Sequence, residues 1–138
     1  MKIKATCFNI DKPNANYRYY SKDVLDEALS EFCQDKPLYL LSEMPKNKGI
    51  DMTKVIGTGV KSEWSEDNTR LIHTFKLRDD INLENKYPCF FGVGNLTSEL
   101  NGVYIVEDLK IQGFALCDSC AWETKVEIVK EVEDENRI

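Results

Sequence analysis

Histidine is nearly absent: His73 is the only one in 138 residues. Any Ser–His or Cys–His mechanism would have to use that one ring. Long apolar runs are missing too. None approaches the roughly 20 residues of a membrane-spanning helix, and Met1-Lys2-Ile3-Lys4-Ala5-Thr6-Cys7 lacks the apolar stretch of a secretory signal. No membrane association is expected. Basic charge is in deficit, with 18 Lys and Arg against 24 Asp and Glu and a net charge of -6. Nucleic-acid binders gain much of their affinity by neutralising phosphates with Lys and Arg, so no nucleic-acid partner is expected. Phosphate loops are lacking as well. Gly57-x-Gly59 and Gly92-x-Gly94 have neither a Gly-Lys-Ser/Thr ending nor a three-glycine fingerprint, and they read as bulges. The five cysteines leave one over in any complete disulfide scheme. Without an export signal they read as reduced thiols made in a cytosol.

What remains is an ordinary globular composition, 42% hydrophobic and 30% charged. A chain of this length fits one domain and can bury roughly two thirds of its unfolded surface. We assign residues 1–130 to that domain and 131–138 to a solvated acidic tail, beginning Glu131-Val132-Glu133-Asp134-Glu135.

Hydrophobic period places the elements. Residues 2–9 alternate, with Ile3, Ala5 and Cys7 on one face and Lys4, Thr6 and Phe8 on the other, as in a strand. Ser21 is suited to cap a helix, and Asp23 suits its positive first turn. Val24, Leu25, Ala28, Leu29 and Phe32 then form one apolar stripe, predicting three to four turns that end before Pro37. Pro37–Leu41 reads as a buried strand and Met44–Asp51 as a loop. Lys54–Trp64 and Thr69–Leu77 form a hairpin about Glu66-Asp67-Asn68. Asp79–Lys86 is a loop or a single helical turn. Further strands fall at Pro88–Leu96, Val103–Val106, Leu109–Leu116 and Trp122–Val132. The fold class is α+β: a largely antiparallel β-sheet or small β-barrel with one main flanking helix.

The candidates for chemistry are few. On the hairpin, Leu71, His73, Phe75 and Leu77 point the same way, and a histidine in such a row is usually a core-edge residue. Cys89 could serve as a nucleophile, although a Cys between Pro88 and Phe90 more often is an inert buried thiol. Cys117 and Cys120 have C-x-x-C spacing, which supplies two of the four ligands of a closed zinc site, and no second pair completes it. Reduced thiols are the expectation there, and no metal or cofactor is assigned. Asp79-Asp80 and Glu66-Asp67 read as solvated hairpin tips. Tyr17, Tyr19 and Tyr20 beside Arg18 either stack on a partner or staple the helix entry to the sheet.

The order of these segments resembles the head-maturation (prohead) proteases of tailed phages. The resemblance spans roughly residues 9–120 and is carried by Asn16, Arg18, Tyr20, Leu25-Asp26-Glu27-Ala28-Leu29, Ile56-Gly57 and the turn before Leu71. It implies a small β-barrel with flanking helices and a Ser nucleophile served by His. The family's His follows the strand after the helix, where this chain reads Leu40-Leu41-Ser42-Glu43-Met44-Pro45. The family's Gly-flanked Ser falls in Pro88-Cys89-Phe90-Phe91-Gly92-Val93-Gly94-Asn95, which has no Ser. Leu116–Ala121 resembles the family's last strand and the turn after it.

The resemblance without its catalytic residues implies a non-enzymatic phage structural or assembly protein. It would be a capsid auxiliary or decoration subunit that binds the major capsid protein or other head proteins in the virion, after assembly in the host cytoplasm. No catalytic residue is assigned. The alternative is an active capsid-maturation protease using Cys89 and His73. An imidazole within bonding reach of a thiol or hydroxyl in an accessible cleft would count against the binding-only expectation.

Overall fold

Strict alternation at the start of the chain would turn Phe8 away from Ile3 and Ala5, yet all three are buried. In the computed structural model, which describes residues 1–9, 18–29, 34–41, 54–118 and 126–129, the pairing skips one residue between Thr6 and Phe8. That bulge rotates Phe8 inward. It lies in strand β1 (Lys2–Asn9), the first of eight. The others are β2 (Arg18–Tyr20), β3 (Pro37–Leu40), β4 (Val55–Trp64), β5 (Arg70–Leu77), β6 (Tyr87–Leu100), β7 (Val103–Cys117) and β8 (Val126–Val129).

The β-rich expectation holds, with two corrections. The sheet is mixed and curls into an open half-barrel rather than a largely antiparallel barrel. Its order is β2-β7-β3-β4-β5-β1-β8, with β6 on the other side of β7. β2 and β3 both run parallel to β7, at Tyr104–Val106 and Phe114–Leu116 respectively. They lie in line along one edge, and helix α1 (Lys22–Ala28) is the excursion that joins them. The second correction concerns the expected strands at 103–106 and 109–116, which are one strand of 15 residues. Glu107 and Gln112 are its extra residues relative to β6, and they hide the alternation. β6 and β7 join at Asn101-Gly102, both with positive φ (53° and 84°), as a two-residue primed turn requires.

Helix α1 begins as expected. Ser21 Oγ accepts from Val24 N at 3.3 Å, and Asp23 sits in the first turn. The helix has seven residues and ends at Leu29, shorter than the stripe implied. Phe32, the loop Met44–Asp51, the flanks of the last strand and the tail 131–138 lie outside the described residues. Leu25 is fully buried under α1 and joins Ile3, Phe8, Leu38, Leu71, Phe75, Phe114 and Leu116 in the main core. Aromatic rings organise that core. Phe8 lies 4.4 Å from Phe90, and Phe75 lies 5.1 Å from Phe114, centroid to centroid. Burying each such ring contributes roughly 1.5–3 kcal/mol.

Candidate functional site

The site follows from the β4–β5 hairpin. Its turn is built around one carboxylate: Asp67 Oδ1 accepts from Ser65 Oγ (2.7 Å), Thr69 Oγ1 (2.7 Å) and Thr69 N (3.2 Å). These bonds hold the Asp67 carboxyl well below the usual range, at about 2, Ser65 being the largest cause. Asn68 takes the left-handed backbone that the turn needs, at φ 59°. Ser65 N donates to Arg70 O at 2.9 Å and closes the ladder. From that pair outward the register runs Trp64↔Leu71, Glu63↔Ile72 and Ser62↔His73.

His73 therefore faces Ser62, and their side chains meet. Ser62 Oγ and His73 Nδ1 share a hydrogen bond of 2.8 Å. The ring is fully buried, 5.0 Å from Phe114 and 6.0 Å from Phe8. Burial pushes its pKa down to about 3, so the imidazole is neutral at ordinary pH. Ser62 is half-buried and lines a cleft of about 420 Å³ beside α1, with Asp26, Leu29, Gln34 and Lys61. Asp26 ties the helix to the sheet, accepting from Trp64 Nε1 at 2.7 Å and Lys22 Nζ at 3.0 Å. Lys22, then Trp64, lowers its pKa. The Lys22 ammonium also lies 4.8 Å from the Trp64 ring centre.

The candidates named from sequence do not come together. Cys89 pairs with Ala115, whereas Phe90 pairs with Phe114. Neighbours along a strand face opposite ways, so Cys89 and the Phe114 that packs on His73 lie on opposite faces of the β6–β7 ribbon. Cys89 is buried in a second cluster with Tyr39, Ala115 and Cys117. Its Sγ lies 3.9 Å from Tyr87 O. Cys117 is buried; Cys120 lies outside the described residues. Among the described residues no group of three or more metal-ligating side chains occurs. Of the family-matched stretches, Leu40 and Leu41 are described and Ser42–Pro45 are not. The Pro88–Asn95 stretch runs along β6.

Ser62 is the residue that sequence reasoning missed. In a hairpin closed by 65 and 70, position 62 stands opposite 73, so the signal was present in the turn. The polar run Lys61-Ser62-Glu63 reads as a solvated edge and concealed it.

No family model matches the chain, and no curated protein does. Among solved structures, the capsid assembly protease gp21 of bacteriophage T4 is similar, with a TM-score of 0.60 and 16% sequence identity. The match covers 94% of this chain and 82% of that chain. The chain has a prohead-protease-like fold. Within the prohead-protease-like fold, the only imidazole lies inside the aromatic core on β5. That position comes after the strand end where the sequence resemblance expected a base.

Proposed function

We propose that the chain is a non-enzymatic head-assembly protein of a tailed phage, a capsid auxiliary or decoration subunit that binds the major capsid protein. The observation that carries this is the state of His73. A general base must become charged as it takes a proton, and the useful range lies near the working pH. A pKa of about 3 in a fully buried ring opposes that charge by on the order of 5 kcal/mol at neutral pH. The Ser62 bond then serves to satisfy Nδ1 inside the core. The similarity to gp21, a capsid assembly protease, supports a place in head assembly. The acidic balance suits a partner with basic patches, and many copies on one shell add avidity.

The test is the content of purified virions. The chain is expected there at a copy number near that of the capsid subunit or a simple fraction of it. Absence from both mature particles and assembly intermediates would overturn the reading.

One observation favours a second reading, acyl transfer by Ser62. A hydroxyl bonded to an imidazole lines an accessible cleft, the arrangement of a serine nucleophile and its base. Under that reading, capsid or scaffold protein is cleaved by the wild type and not by Ser62→Ala. Intact substrate after long incubation with the wild type eliminates it.

A further inference from the structure

The two bulges of β7 keep Val106, Leu109, Ile111, Phe114 and Leu116 on the core side. The opposite face carries exposed Asp108 and Lys110 in mid-ribbon. Nearer the turn the same face becomes apolar. Ile105 is followed by Val103, Tyr19 of β2 stands beside Ile105, and Leu100 of β6 stands opposite Val103. Leu100 is 64% exposed. Four large apolar side chains on three adjacent strands thus point away from the core. Tyr20, the next residue on β2, faces the other way and packs on Phe8 at 5.2 Å and Phe90 at 5.8 Å. The tyrosine cluster near Arg18 therefore divides, one ring stapling the core and one joining the outer patch.

The charges around this tip set the chemistry of what covers it. Glu99, Glu107 and Asp108 are exposed there, against Lys110. The Arg18 side chain is hydrogen-bonded to Tyr20. A second copy would bring one acidic rim against another, which disfavours self-association. A paired ribbon closed by a tight turn is also pre-ordered, so binding costs little conformational entropy. We infer that the outer face of the β2–β7–β6 tip is the docking surface for a head protein, which presents an apolar pocket rimmed by Lys or Arg. This rests on the assembly role proposed above, and it names the surface that performs it.

The experiment uses the full chain and purified heads of the phage that encodes it. Cosedimentation measures the affinity of the wild type, Leu100→Glu, Tyr19→Ala and Ile128→Glu. Ile128 is 53% exposed on β8 and serves as the control. Circular dichroism verifies that each variant is folded. The expected result is binding by the wild type, weakened by added salt. Leu100→Glu and Tyr19→Ala lose about tenfold or more in affinity, and Ile128→Glu stays within about twofold. If the wild type binds and the Leu100 and Tyr19 variants bind equally well, the surface is wrong and the assembly role stands. Should the wild type fail to bind heads at every stage, both fall. A wild-type dimer that Leu100→Glu dissolves would make the occupant a second copy and overturn the head-protein assignment.

Discussion

The two halves of β7 belong to one strand and live in different environments. From Gly113 to Cys117 every residue is buried, clasped between β3 and β6 with a cluster on each face. From Val103 to Lys110 only Val106 is fully buried, although the strand is still paired to β2 and β6. Hydrogen bonding alone therefore does not make the buried half the stable one. The difference lies in the apolar area removed from water, and it separates the part that holds the fold from the part that can meet another molecule.

Mutation at each end should expose this contrast. Phe114→Ala removes a fully buried ring that touches His73 and Phe75, and a loss of about 3–5 kcal/mol is expected in urea unfolding. A loss under about 1 kcal/mol would mean that the two halves are energetically alike.

Acid should act on the buried half. The folded His73 titrates at about 3 and the unfolded one near its ordinary 6.5, so between those values the unfolded chain binds a proton that the folded chain excludes. Stability is therefore full above about pH 6.5 and falls as pH drops, by about 2 kcal/mol at pH 5. Asp67 contributes in a lower window. Its depressed value of about 2 gives stability that is present above its ordinary 3.8 and is lost as pH falls towards 2. Equilibrium unfolding against pH should show both windows. His73→Gln should flatten the upper one and Asp67→Asn only the lower. An unchanged upper slope in His73→Gln would show that the ring is not the group responsible.

Ser62→Ala deletes the partner of Nδ1 and should cost about 1–2 kcal/mol at neutral pH, read by thermal or urea unfolding. A variant as stable as the wild type would show that the bond does not stabilise the core. The smallest effect belongs to the tip. Leu100→Ala should change stability by under about 0.5 kcal/mol in the same assay, because its side chain is already in water. A larger loss would make the tip part of the folding core.

Much of this was readable in the residues. Ser21 predicted the helix start, the row Leu71, His73, Phe75 and Leu77 predicted one buried face of β5, and Glu66-Asp67-Asn68 predicted the turn. The failures have physical causes. Extra residues within β1 and β7 break a period of two, which misplaced Phe8 and divided one long strand into two. Parallel pairing of β2 and β3 with β7 depends on residues far apart in the chain, and no local pattern reports it. The Ser62–His73 couple is likewise a product of register, invisible to a search for catalytic motifs. Asn101-Gly102 is the opposite case, a strong hairpin signal that marks the tip of the ribbon.

The turn at Asp67 has reach beyond its own few atoms. A slip of one position in β5 would carry Ile72 to the place opposite Ser62 and swing the imidazole to the other side of the sheet. The serine would lose its nitrogen partner and the aromatic interior would lose its one polar ring. One surface carboxylate thus acts as the index mark by which a side chain three pairs from the hairpin's end finds its seat.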